Sequence, residues 1–91
     1  MTPEDAATQV VSRVDSNGFD EEYWRRLDVL KAHVGGHPND IMPFLAGAGY
    51  PETCSAKAER LELSGGDPKL IAQLRSKAEM VAGYSRKLAV V

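Results

Sequence analysis

The histidine side chains could bind a metal ion, and the two histidines of the chain, His33 and His37, are four residues apart. On one continuous helix this spacing would let both imidazoles bind a single zinc ion. Gly35-Gly36 and Pro38 interrupt any helix between the histidines and remove that geometry. We therefore predict no metal site, and we expect His33 to lie near the C-terminal end of a helix, where a cation is favourable.

Cys54 is the only cysteine, and a thiol beside the imidazole of His37 would be a candidate nucleophilic pair. The spacing of Cys54 with Ala58 and Leu61 places it on the apolar face of a helix, which favours a buried thiol. No glycine pair is followed by Lys-Ser or Lys-Thr, so Gly65-Gly66 is interpreted as a helix stop rather than a phosphate loop. We predict that the chain is not an enzyme and needs no cofactor.

Three aromatic residues, Phe19, Tyr23 and Trp24, fall within six residues and could form a binding platform. In an amphipathic helix of a small bundle this spacing is more typical of core packing, with Trp24 at the edge of the buried face. We therefore interpret the aromatic cluster as part of the core.

Charge is distributed unevenly along the 91 residues, whose formal net charge is −2. Residues 1–45 contain four basic and eight acidic residues, whereas residues 68–91 contain five basic residues and one acidic residue. The basic stretch either meets an acidic partner or lies against the acidic half of its own chain or of a second copy, and we favour the second explanation. The net acidity argues against a generic binder of polyanions.

We expect a cytoplasmic protein without a membrane-spanning segment. A lone cysteine excludes a disulfide within the chain and fits a reducing compartment. No apolar run approaches the roughly 20 residues that a bilayer requires, and the acidic N-terminus is unlike a secretory signal. The composition, 43% hydrophobic and 26% charged, is that of a folded globular chain whose length fits one domain.

Glycine and proline divide the chain into five helical segments. The first begins after Thr2 and ends before Gly18, and the second runs from about Asp20 to Val34, so that residues 1–34 form an acidic helical pair. The apolar positions of this pair recur at helical spacing. Its core candidates are Ala7, Val10, Val11, Val14, Phe19, Tyr23, Leu27, Leu30 and Val34.

The start of the third helix is inferred from Pro43. Since proline is tolerated in the first turn of a helix but not in its interior, the cap of this helix is expected just before Ile41, at Asn39 or Asp40. It should be short, because glycines follow soon after.

A glycine-bearing turn over residues 47–51 separates the third helix from a fourth, which is expected over about residues 52–63. The order of short helix, turn and second helix over residues 40–63 is that of a helix-turn-helix. The core candidates of this corner are Ile41, Phe44, Leu45, Ala48, Cys54, Ala58 and Leu61.

The clearest helix signal covers residues 67–89, where Asp67 is a good cap and Pro68 suits the first position. A helix of about 20 residues is about 30 Å long, so we expect the far end of this basic helix to project and to pair with another copy or a partner. The interaction candidates on it are Leu70, Leu74, Val81, Tyr84 and Leu88. The sequence therefore predicts an all-α fold over residues 1–91, a single-domain bundle of about five helices with a long C-terminal helix.

Three segments between residues 40 and 75, namely Ala48–Cys54, Ala58–Leu61 and Asp67–Leu70, resemble the helix-turn-helix region of phage terminase small subunits. Those proteins tend to have Ala-Gly-Tyr, a short polar turn, Thr-Ala, Arg-Leu-Leu and then a helix opened by proline. The chain departs from this pattern at Cys54, where alanine is usual, and at Glu62. The resemblance covers about a third of the chain and implies a phage-encoded protein that recognises DNA and self-associates.

Two functions are compatible with these features. We favour a protein–protein interaction module, either a dimerising adaptor or a small inhibitor of another protein, that acts through the C-terminal helix. The alternative is a helix-turn-helix protein that binds duplex DNA, although three glutamates on the fourth helix would repel phosphate. The DNA-binding candidates are Thr53, Ser55, Lys57, Arg60, Lys69, Arg75 and Lys77.

Overall fold

The computed structural model describes residues 1–35 and 37–89, with side chains at all of these except 38 and 85–89. Within those ranges the chain forms five α-helices and no β-strand, so the predicted all-α fold with a long C-terminal helix is confirmed. The helices are α1 (Pro3–Asn17), α2 (Glu21–Val34), α3 (Pro38–Gly47), α4 (Tyr50–Ser64) and α5 (Pro68–Ala89).

Side-chain caps start three of these helices at the predicted positions. The Thr2 hydroxyl accepts the Asp5 N–H at 3.1 Å, while the Asp5 carboxylate accepts the Thr2 N–H at 3.4 Å, which is a capping box. Asp20 accepts the Tyr23 N–H at 3.0 Å at the start of α2. Asp67 accepts the Lys69 N–H at 2.9 Å at the start of α5. Each cap satisfies a backbone donor that the helix itself leaves free.

The predicted start of α3 is wrong, because the helix begins at Pro38 and is capped by His37, whose Nδ1 accepts the Asn39 N–H at 3.1 Å. Pro43 therefore lies inside the helix, beyond its first turn. A proline there cannot donate to the carbonyl four residues earlier, which belongs to Asn39. The Tyr84 hydroxyl of α5 donates to that carbonyl at 3.0 Å, so a contact distant in sequence replaces the missing helical bond.

The fourth helix also begins earlier than predicted, at Tyr50 rather than near residue 52. Gly49 has φ +82°, a left-handed conformation that lets the chain change direction within two residues. Its carbonyl accepts the Thr53 N–H at 2.9 Å as the first bond of α4. Pro51 follows in the first turn, where its lack of an N–H leaves no helical bond unmade.

The helices form two hairpins, α1 with α2 and α4 with α5, and α3 contacts all four of the other helices. The α4 helix also packs against α1, which brings the two hairpins together. The Cα atoms extend over 38 × 32 × 16 Å, so the arrangement is a flat slab with two broad faces. None of the described helices combines the length and the apolar character that a membrane crossing requires.

The core lies between the hairpins and takes side chains from every helix. Most core candidates are buried as predicted, while Phe19, Val34, Phe44, Ala48 and Leu61 are partly buried at its border. The buried hydrophobic residues are Ala6, Ala7, Val10, Val11, Val14, Tyr23, Leu27, Leu30, Ile41, Leu45, Tyr50, Cys54, Ala58, Leu74, Ala78 and Val81.

Candidate functional site

The basic residues of α4 that were candidates for DNA binding lie against the end of α1. Lys57 Nζ donates to the backbone carbonyl of Asp15 at 2.7 Å, and Arg60 Nη2 donates to the Asp15 carboxylate at 2.6 Å. Both contacts place a cation at the C-terminal end of a helix, where its carbonyl groups favour positive charge. Thr53 lies on the same side of α4 and is partly buried. Lys57 and Arg60 therefore help to join the two hairpins.

The other DNA-binding candidates are distributed around the slab. Arg75 pairs with Glu62 of α4, with Nε 3.1 Å from the carboxylate, and Ser55 lies beside Arg75 in the shallow groove between α4 and α5. Lys77 Nζ lies 5.1 Å from the ring centre of Phe19 and 5.5 Å from that of Trp24, while Lys69 is exposed. The structure thus places the candidates in several different settings, and does not bring them together as one basic surface.

The outward face of α4 is formed by Glu52, Ala56, Glu59 and Leu63, at helical spacings of four, three and four residues. All four residues are exposed, and Leu63 is 85% exposed, the highest value among the large hydrophobic side chains described. With two carboxylates and an exposed leucine, this face is better suited to contact another protein than to contact the phosphate backbone of DNA, which requires positive charge.

A groove of about 670 Å³ runs between α1 and α4 beside this face, and we call it the α1–α4 groove. Its deeper part is formed by Val11, which is 8% exposed, and by Ala48. Small side chains line its walls, and two carboxylates and Leu63 stand along the α4 rim. The remaining lining residues are Thr8, Ser12, Asp15, Glu52, Thr53, Ala56, Glu59, Arg60 and Leu63.

The apolar stripe of α5, predicted as an interaction surface, packs within the chain over its described part. Leu74 and Val81 are 0% exposed and belong to the core. Leu70 is partly buried and lies against Gly18, and Tyr84 bonds to the carbonyl of Asn39. The Leu88 side chain lies outside the described residues. Four of the five candidates are thus in contact with their own chain.

Of the three aromatic residues around the start of α2, Tyr23 belongs to the core as predicted, Phe19 is partly buried at its border, and Trp24 is exposed. Tyr23 is buried, packs edge-on against the rings of Phe19 and Trp24, and shares a 2.9 Å hydrogen bond with the buried hydroxyl of Tyr50. Burial raises the pKa of both tyrosines, so both remain neutral. Trp24 is 48% exposed and covered on one side by Lys77, which gives it a partly solvated position.

Cys54 is buried, whereas both histidines are exposed at helix ends. Cys54 is 0% exposed, and burial raises the pKa of its thiol to about 11, so it is not an activated nucleophile. His33 is in the last turn of α2, as predicted, and His37 is engaged as the cap of α3. In the part of the chain that the structure describes, no three His, Cys, Asp or Glu side chains are grouped for a metal ion.

The α1 side of the groove was not among the sequence-predicted site residues. Thr8, Ser12 and Asp15 are polar residues on the outward face of α1, and such residues are usually no more than a solvated surface. The sequence signal that could have indicated the site is the exposed face of α4, where Leu63 stands among charged residues. The chain matches no protein-family model, no curated protein and no solved structure.

Proposed function

We propose that the chain is a non-catalytic protein-binding domain that docks another protein in the α1–α4 groove, as an adaptor or as a small inhibitor. The observation that carries this proposal is the groove itself, with the 85% exposed Leu63 at its rim. Val11 and Ala48 form an apolar centre that polar and charged residues surround, which is the usual layout of a protein-interaction site.

The contacts of α5 support docking in this groove over docking on α5. A partner that used Leu74 or Val81 would have to displace them from the core, which would cost the domain much of its stability. The groove needs no such rearrangement, because its walls are already held by Lys57 and Arg60 on Asp15. The interaction function predicted from the sequence is thus retained and assigned to a different surface.

A photo-reactive side chain placed at Ser12, on the groove wall, tests this proposal in the cells that produce the protein. We expect one discrete cross-linked species, which is lost when Ala56→Arg fills the groove. The control position is Gln73, an exposed residue of α5, which should give no such species. An adduct unaffected by Ala56→Arg, or no adduct at Ser12, would argue against docking at this site.

Duplex DNA binding is the second candidate function, and the order of α3, a two-residue turn and α4 is the observation that favours it. A fluorescence titration with random duplex DNA at low salt distinguishes the two. Tight association that weakens steeply with added salt, and is lost in Arg60→Glu with Lys69→Glu, would support DNA binding. The groove proposal predicts no such association.

A further inference from the structure

We infer that the partner presents a basic amphipathic α-helix of about three turns to the α1–α4 groove, an inference that rests on the proposed docking function. The exposed face of α4 sets the length of the occupant. The exposed face of α4 runs from Glu52 to Leu63, which corresponds to about 16 Å along a helix axis. An occupant lying alongside it would contact this face over about 11 residues.

The shape of the α1–α4 groove suits a helix. The two walls are helices, and a groove between neighbouring helices accepts the side-chain ridge of a third helix. The wall residues Thr8, Ser12 and Ala56 are small, so space remains for large apolar side chains on the occupant. Leu63 at the end of the groove would lie against the last of these side chains. The occupant is therefore expected to carry leucine-sized residues at spacings of three and four.

The charge of the α1–α4 groove suits a basic occupant. Glu52 and Glu59 are seven residues apart, two turns of α4, and both lie on the same rim of the groove. Asp15 on the opposite wall is already paired with Arg60 at 2.6 Å. The lining of the groove contains three carboxylates and one guanidinium, so its net charge is negative, and it is complementary to lysine or arginine at matching positions along the occupant.

A second copy of this chain is a poorer occupant than a separate basic helix. The basic helix that the chain itself contains is α5, and its apolar residues Leu74, Ala78 and Val81 are buried in its own core. It would have to leave that core before it could enter the groove of another copy. A partner helix with a free apolar face has no such cost.

The experiment uses the isotope-labelled 91-residue chain and two short helical peptides, one of leucine and lysine in an amphipathic pattern and one with every lysine replaced by glutamate. We expect the lysine peptide to shift the backbone amide signals of Val11, Ala56 and Leu63, and the glutamate peptide to leave them unchanged. Ala56→Arg should abolish these shifts while the far-ultraviolet spectrum and the unfolding midpoint show that the fold is kept.

Glu52→Gln with Glu59→Gln should weaken binding of the lysine peptide by about fivefold, as expected for two exposed ion pairs, and added salt should weaken it further. The matched control is Asp28→Asn with Glu79→Gln, which removes the same charge from exposed positions of α2 and α5 and should leave the affinity unchanged. Equal weakening in the control pair would show a non-specific attraction and would overturn the inference.

Four further outcomes would overturn it. Both peptides could shift the groove signals equally, or the signals that shift could lie outside the groove. Sedimentation could show a self-associated protein that Ala56→Arg returns to a monomer, which would make a second copy the occupant. The lysine peptide could fail to bind while the cross-link from Ser12 persists, in which case the docking function stands and the basic helix does not.

Discussion

Pro43 shows how a single residue can tie two helices together. Its missing N–H leaves the carbonyl of Asn39 without a helical donor, and the Tyr84 hydroxyl supplies one from α5 at 3.0 Å. The hydroxyl takes the place of the missing N–H, and the bond holds α5 against α3 at this point. This coupling can be measured.

We expect Tyr84→Phe to lower the free energy of unfolding by about 0.5–1 kcal/mol, the usual contribution of one hydrogen bond near the surface. In a Pro43→Ala background the helix regains its own donor, so the same change should cost clearly less. Urea denaturation of the four proteins gives the coupling directly. Equal costs in both backgrounds would show that the hydroxyl does not substitute for the helical bond.

Burial makes the thiol of Cys54 inert, since it raises the pKa from 9.0 to about 11. At pH 8 the folded protein therefore holds about 100-fold less thiolate than the unfolded chain. A disulfide reagent should react with the native protein at least about 100-fold more slowly than with the urea-unfolded protein. A native rate close to the unfolded rate would place the thiol at the surface.

The same shift determines how stability depends on alkaline pH. Above pH 9 the unfolded chain releases the Cys54 proton that the folded state retains, so unfolding becomes more favourable as pH rises. The raised pKa values of Tyr23 and Tyr50 act in the same direction. Unfolding midpoints should therefore fall as pH rises from about 8 to about 11, roughly the range in which these groups titrate. Cys54→Ala should reduce the early part of that fall.

At the scale of helices, one carboxylate joins α1 to α2. Asp20 accepts Arg13 Nε at 3.1 Å and also caps α2 through the Tyr23 N–H at 3.0 Å. The Arg13 hydrogen bond, followed by that cap, lowers the pKa of Asp20 from 3.8 to about 2. The hydrogen bonds of Arg25 and Arg26 likewise lower the pKa of Glu22 to about 2.

Because these pKa values are depressed in the folded state, their stabilising effect is present above about pH 4 and is lost as pH falls toward 2. Asp20→Asn keeps a good cap but removes the charge, so its unfolding free energy should depend less on pH over this range. Urea denaturation between roughly pH 2 and pH 6 measures how the unfolding free energy changes with pH, because this range includes both the folded and the unfolded pKa values. The exposed Asp28→Asn is the control, and a slope reduced equally in both variants would contradict this role of Asp20.

The helices were more predictable than the contacts between them. Caps such as Thr2 and Asp67 act within three residues, so the sequence identifies them directly. The start of α3 was missed because the donor that makes Pro43 tolerable lies on α5, 45 residues from Asn39. The groove depends in the same way on the packing of α1 against α4, which no local pattern indicates.

The DNA-binding candidates illustrate the same limit. Lys57 and Arg60 are candidates because they are basic residues on a helix that resembles a recognition helix. Their shared partner Asp15 lies 42 and 45 residues earlier in the chain, so the interaction becomes visible only when α1 and α4 are placed side by side. The exposed ion pair between Arg60 and Asp15 contributes only about 0.2–1 kcal/mol to the free energy of unfolding. Its main consequence is therefore the position in which it holds these two side chains.

At the scale of the whole molecule, α5 closes a thin slab. Leu74 and Val81 are 0% exposed, and the slab measures 16 Å across its shortest dimension, so few other residues could fill their places. Leu74→Ala alone should cost about 2–5 kcal/mol. That is a large share of the roughly 5–15 kcal/mol that stabilises a domain of this kind.

Leu74→Asp with Val81→Asp should therefore unfold the protein, because it buries two unpaired charges. We expect loss of the helical far-ultraviolet signal and of a cooperative thermal transition. Met80→Asp, at a half-exposed position of the same helix, is the matched control and should stay folded. A folded double variant would mean that the α5 stripe is not core but a free surface. Since unfolding abolishes any binding, variants at Ala56 and Glu59 rather than in α5 decide what the domain docks.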